Sequence, residues 1–196
     1  MERSARDRKT LLADAATEII GTEGLRGLTH RATDARAGLP SGTCSYHYPA
    51  RSDLLAAVLH RIRDLERADI DRYRPGPLTP DLDPNMLVDG TTATLAHWLG
   101  PARIRSRASM ILRLDPSSRE LIESAMDSVI AEFHTMASAL TGDPHRARLA
   151  VALLDGILFD ELTRGPEQVD VDQLRVQITA VVRVALPEAD NDPTPG

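Results

Sequence analysis

The side chains able to do chemistry crowd into one stretch of this 196-residue chain, Thr29 to Arg51, which reads THRATDARAGLPSGTCSYHYPAR. It carries the guanidinium groups of Arg31, Arg36 and Arg51, the imidazoles of His30 and His47, four hydroxyls at Thr29, Ser41, Thr43 and Ser45, and the phenol of Tyr46. With Arg26 included, residues 24–51 hold four basic side chains against a single acid, Asp34, and are +3 in a chain whose formal net charge is −6. An Arg-rich patch in an acidic protein is the charge pattern of a nucleic-acid surface, and a merely solvated basic face has the same pattern. Bond-making chemistry has no comparable foothold. GxSxG, HExxH, P-loop and GxGxxG arrangements do not occur, and the carboxylates are scattered over helix surfaces, so an enzyme is not expected. The six histidines form no HxxxH pair and no Cys/His cluster, so no metal site is expected either.

Those side chains need short helices to hold them. Leu11/Leu12, Ala15/Ala16 and Ile19/Ile20 recur every four residues and predict a first helix over about 7–23, stopped by Gly24. Thr29 is a suitable N-cap for a second helix over about 30–37, ended by Gly38. Pro40 suits the first turn of a third, which Pro49 ends. A long helix and two short ones joined by a Gly-containing turn describe a helix-turn-helix, whose second short helix lies in the major groove. In that arrangement Ala32, Ala35, Leu39, Cys44 and Tyr48 point inward, and Arg31, Arg36, Ser41, Thr43, Ser45, Tyr46 and His47 point outward. Gly42 lets the backbone approach a DNA strand.

A fourth helix follows, with Leu54, Leu55, Val58, Leu59, Ile62 and Leu65 on one face. The proline-rich stretch RPGPLTPDLDP, residues 74–84, reads as a linker. Asp83-Pro84, Asp115-Pro116 and Asp143-Pro144 each pair an N-cap carboxylate with a proline pre-set for the first helical turn. They open helices over about 85–99, 117–140 and 145–164, with further helices over 102–114 and 171–186. The expectation is an all-α chain of about nine helices. A three-helix DNA-binding domain spans 1–50, a connecting helix 51–74 and a larger helical domain 75–186, and 187–196 is a disordered tail. The lone Cys44 suits a reducing cytoplasm and reads as a small core residue or a redox-sensitive thiol. No stretch is long and apolar enough for a membrane span, and no secretory signal is recognisable.

The N-terminal third resembles the tetracycline-repressor (TetR) family of transcriptional regulators. The resemblance rests on the first helix ending at Gly24, on Gly27-Leu28-Thr29, on Ala37-Gly38-Leu39-Pro40-Ser41-Gly42-Thr43, on Tyr46-His47-Tyr48-Pro49 and on Arg51-Ser52-Asp53-Leu54-Leu55, covering about residues 7–60. It implies a ligand-responsive regulator, most simply a repressor that a small molecule releases from a pseudo-palindromic operator. Under the resemblance Thr29 caps the second helix and, with His30, reaches a phosphate. Arg31 reaches a base edge, and Ser41 and Gly42 open the recognition helix facing bases. Thr43, Tyr46, His47 and Arg51 grip phosphates, while Tyr48 packs in the core. Ser45 stands where many members have a phosphate-binding tyrosine, a role Tyr46 can take over. Arg51 replaces the frequent lysine.

The resemblance further implies a C-terminal unit that dimerises and binds an effector. The last two helices are apolar over more than one stripe, as a homodimeric four-helix bundle requires, although burial within one subunit also accounts for this. Such a dimer places its recognition helices roughly 34–36 Å apart. Trp98, Met110, Phe133, His134 and Phe159 are candidate effector contacts, drawn from a stripe that ordinary core would share. No cofactor beyond an unidentified effector is implied. The competing readings are an all-helical enzyme and an adaptor that binds only protein.

Overall fold

A computed structural model of the chain describes residues 2–74, 76, 82–119, 135 and 137–186. All regular structure among them is helical. The chain divides into two compact units, one of Met1–Asp71 with His97–Ile130, the other of Arg72–Ala96 with Ala131–Gly196.

In the first unit, α1 (Glu2–Glu23) starts earlier than the periodicity suggests and stops where expected. Gly24 adopts φ +76° and its N–H reaches the Ile20 carbonyl at 3.0 Å. Two short helices follow, α2 (His30–Arg36) and α3 (Thr43–His47), then the long α4 (Arg51–Tyr73) and, later in the chain, α6 (Arg103–Leu114). One core joins all five. Leu12, Ala16, Ile19 and Ile20 of α1 meet Leu28, Cys44 and Tyr48, then Leu54, Val58, Leu59 and Ile62 of α4 and Ala108 and Leu112 of α6. Each fully buried aliphatic side chain here contributes roughly 1.5–3 kcal/mol, so the small helices are held by packing rather than by their own propensity. A bidentate pair from Arg61 of α4 to Asp14 of α1, at 2.7 and 3.2 Å, adds a polar tie.

The second unit holds most of α5 (Pro84–Leu99), a helical turn at 137–141, α7 (Pro144–Thr163) and α8 (Val171–Ala185). The Asp-Pro signals work as N-caps. Asp83 accepts from the Asn85 N–H at 2.9 Å, Asp143 from that of His145 at 2.8 Å, and Asp170 caps α8 through Gln173 at 3.0 Å. Asp115-Pro116, in the first unit, is different. It opens a single 3-10 turn, Pro116–Ser118, in which the Asp115 carboxylate takes the Ser118 hydroxyl at 2.9 Å in place of a backbone N–H. Most of the helix expected over 117–140, and the tail expected over 187–196, lie outside the described residues. Ala150 of α7 packs with Val181 and Ala185 of α8, and Arg175 pairs with Asp89 at 2.8 Å. No described helix is long and apolar enough to cross a membrane.

The crossing of α1 and α6 is the tightest approach in the first unit. A Cβ added to buried Gly21 would fall on the carbonyl oxygen of Ile104 and lie 2.7 Å from its Cγ2. Alanine gains about 1 kcal/mol of helix propensity over glycine, but backbone atoms cannot yield as a side-chain tip can. Gly21→Ala is therefore expected to lower stability by about 1–3 kcal/mol, as overpacking does. A lowered midpoint in urea denaturation checks this, and a raised one would refute the crossing.

Candidate functional site

The reading segment is built around its one acid. Thr29 sits in extended backbone before α2 and caps it, its hydroxyl oxygen accepting from the Ala32 N–H at 3.1 Å. The third helix is shorter than the sequence suggests. It begins at Thr43, and Pro40 stays in the preceding turn, where its carbonyl accepts from the Thr43 N–H at 3.1 Å and the Thr43 hydroxyl at 2.6 Å. Gly42 is the residue before α3, at φ +92°, a conformation that L side chains rarely adopt, and it has no side chain with which to cap. Asp34 reaches across from α2 to supply the cap. One carboxylate oxygen accepts from the Gly42 N–H at 2.8 Å, the other from the Cys44 N–H at 2.7 Å, and Asp34 is only 3% exposed. A carboxylate on two amides at a helix N-terminus is a charge-assisted arrangement favoured by the helix dipole. The sequence shows Asp34 only as the lone acid of a basic segment. Its role depends on a fold that brings position 34 to position 42.

Burial sorts the remaining side chains. On α2 the inward positions are Thr33 and Asp34. Ala35 is exposed rather than inward, because a helix entered at His30 turns 30, 33, 34 and 37 to the core and 35 away. Arg31 is exposed, as are Thr29, Ser41, Gly42 and Ser45. Tyr46 is 80% exposed and meets His47 edge-on, with ring centroids 5.0 Å apart. An aromatic so exposed contributes nothing to the core, so packing does not account for its position. Tyr48 is the buried ring, its hydroxyl donating to the Lys9 carbonyl at 3.2 Å. His30 donates from Nε2 to the Tyr48 carbonyl at 2.8 Å, tying the start of α2 to the end of α3.

Two arginines are committed within the unit. Arg36 pairs with Glu18 at 2.9 Å and with Glu23 at 2.6 Å. Arg51 binds the carbonyls of Leu28 and, at 2.6 Å, Leu25, bracing the loop that leads into Thr29. Cys44 is fully buried, and burial together with the neighbouring Asp34 charge pushes its thiol up to about 11, far from the reactive range of a redox thiol.

Of the effector candidates, Trp98 and Met110 are half-buried in the first unit, Phe159 is exposed on α7, and Phe133 and His134 lie outside the described residues. Trp98 belongs to a polar cluster that periodicity did not disclose. Its indole N–H donates to Asp69 at 3.0 Å, the same carboxylate pairs with Arg105, and His97 stands 3.3 Å away. The buried Nε of Arg105 has no acceptor among the described residues. One turn back along α4, Glu66 hydrogen-bonds Ser109 of α6, and burial pushes its carboxyl above the ordinary 4.5. Its signal in the sequence was phase: Leu55, Leu59, Ile62 and Glu66 continue one stripe. No group of three or more potential metal ligands occurs among the described residues.

Residues 82–188 match the family model described as the C-terminal domain of tetracyclin-repressor-like proteins. The chain belongs to the tetracycline-repressor-like family. Solved structures agree over nearly the whole length. The multidrug-binding protein EbrR in complex with imidazole is 26% identical, with 94% of this chain and 97% of that one covered and a TM-score of 0.68. The TetR-family member SCO1917 from Streptomyces coelicolor A3 is 27% identical, with 89% and 97% covered and a TM-score of 0.70. No curated protein sequence matches. The all-α architecture and TetR membership expected from residues 7–60 are thus reached independently from the other end of the chain.

Because α3 in this TetR-like chain has five residues, its stability is that of its attachments. Asp34→Ala leaves two amides without their acceptor and is expected to cost about 1.5–3 kcal/mol. Local opening of α3 exposes Cys44, so the variant should also react with Ellman's reagent markedly faster than the parent well below the unfolding transition. Parental labelling rates would show that Asp34 does not hold the helix.

Proposed function

We propose that the chain is a cytoplasmic, dimeric transcriptional repressor that reads a pseudo-palindromic operator with α3 and is released when a small molecule binds its larger helical region. The observation that carries this is the Asp34-capped α3, which presents Tyr46 and its hydroxyl neighbours to solvent beside an exposed Arg31. Arg31 suits a bidentate contact to guanine, and Ser41 and Gly42 bring the backbone to the base edges. Thr29, Thr43, Ser45, Tyr46 and His47 supply phosphate donors. His30 and Arg51, each engaged with backbone carbonyls, place the phosphate-facing loop and add their remaining N–H groups to it.

Dimerisation is proposed through α7 and α8. Leu149 and Leu153 lie one turn apart on α7 and stay exposed, as do Val176 and Val184 on α8. Apolar residues at these spacings on two successive helices suit a four-helix bundle with a second copy. For the effector, EbrR has been solved with malachite green, ethidium and proflavin, all flat cationic dyes. We carry that class over as the proposed effector chemistry, together with the half-buried Trp98 and Met110. Binding would favour a conformer in which α4 moves the reading heads away from operator spacing.

Titration with duplexes from the DNA flanking its own gene tests the reading. Specific, saturable binding at moderate salt is expected, and its absence for every duplex would sink the repressor reading. Arg31→Ala should lose about 1–3 kcal/mol of affinity with relaxed specificity at one base pair, and Tyr46→Ala should weaken all sequences about equally. Leu153→Glu should convert the dimer to monomer in analytical ultracentrifugation without loss of helical signal. A dimer that survives it places the interface elsewhere.

A further inference from the structure

Along their contact, α4 and α6 run antiparallel and meet in three successive levels. Ile62 and Leu112 are buried together in the apolar core. One turn on, the Glu66 carboxyl meets the Ser109 hydroxyl. One turn further, Asp69 is closed off by Arg105, the Trp98 indole and His97. The two carboxylates are unequal. Asp69 has a guanidinium in direct contact. Glu66 has a hydroxyl, with Arg105 and Arg113 acting on it through space. Arg113 is exposed and therefore well screened, while Arg105 is already committed to Asp69. Two carboxylates thus share one sheltered guanidinium. Glu66 also lies deep within the protein yet retains accessible surface, as a group facing a space does and one sealed in packing does not. Beside it the indole of Trp98 is fixed in orientation by its bond to Asp69, a flat face for a flat ligand.

On the basis of the effector-binding reading, we infer that Glu66 is the counter-ion for a flat, cationic effector seated against Trp98 within the first unit. A carboxyl at a core-phase position is costly unless something answers its charge, and a ligand cation answers it only when bound. The unmet Nε of Arg105 needs an acceptor, which water or a neutral atom can supply, so it does not set the ligand's charge. Every titratable or charged neighbour assigned to Glu66 lies on two helices, Asp69 on its own and Arg105 and Arg113 on α6, with His97 acting through Asp69.

Burial raises the Glu66 carboxyl, so at low pH the free protein holds a proton there that the cation must expel. Affinity for a cation that does not titrate then rises with pH, by up to about tenfold per unit, and levels off once Glu66 is ionised. Ethidium is such a cation, and the matching neutral probe is an uncharged phenanthridine of the same ring system. Both are titrated against the full-length protein, without DNA, from about pH 5 to pH 8. The expected result is ethidium binding that tightens with pH while phenanthridine binding does not. Glu66→Gln, which keeps the shape and the bond to Ser109, should weaken ethidium about tenfold or more at neutral pH and flatten its profile. Glu66→Asp, which keeps the charge, should retain the pH dependence. Equal ethidium affinity in the parent and Glu66→Gln, or an unchanged profile in that variant, overturns the inference. Binding of phenanthridine but not ethidium overturns it too, while leaving the effector site standing. Binding of neither probe overturns both, and operator titration still reads the repressor function separately.

Discussion

The carboxylate of Asp34 is the constraint on which the reading surface depends. A five-residue helix preceded by glycine at positive φ has neither the length to sustain itself nor a side chain to cap it. Two bonds from one buried acid on the preceding helix supply both the cap and the angle between α2 and α3. The cation count of the segment gives no hint of this, since the only negative charge between residues 24 and 51 would be expected to weaken DNA binding. Buried and pointing inward, it adds little to the surface potential and instead aims the groups that face outward.

The same accounting applies to the positive charges. The segment is +3 by composition, but Arg36 is answered by Glu18 and Glu23 and Arg51 is turned onto two carbonyls. What remains directed outward is Arg31 with hydroxyls, a phenol and an imidazole. A surface of that kind draws a modest counterion-release benefit from phosphates and must discriminate through a few well-placed contacts. The acidic body does not contradict DNA binding. It limits non-specific attraction, so specificity rests on geometry.

Local signals in the sequence were dependable where the physics is local. Gly24 stopped α1, Thr29 capped α2, and two of the three Asp-Pro pairs capped α-helices, because each effect involves residues within a turn of one another. The start of α3 was misplaced by three residues because Pro40 is equally at home in the turn, and only the distant Asp34 decides where the helix begins. Ala35 was misassigned because small residues carry no strong phase. Glu66, Asp69 and Arg105 went unread for a related reason. A charged residue on an apolar stripe looks like noise until its partner, some forty residues away, is placed opposite it.

Residues 104 and 105 connect these themes. Ile104 backs onto Gly21 of α1 so closely that no Cβ fits between them, and Arg105, the next residue, holds Asp69 of α4. The first turn of α6 is thus clamped on one side to the longest helix of the reading head and on the other to the polar cluster. Contacts of this kind resist gradual deformation, because a backbone-on-backbone crossing has no soft side chain to absorb a shift and an ion pair in a sheltered site is either made or broken. A change in the charge state of the cluster therefore bears on the same rigid turn that seats α1. The Asp34 cap passes the position of α2, which packs against α1 in the same core, on to α3. Three short polar and steric contacts, at 34, at 21 with 104, and at 69 with 105, give the first unit its stiffness where the apolar core alone would leave the small helices free to slide.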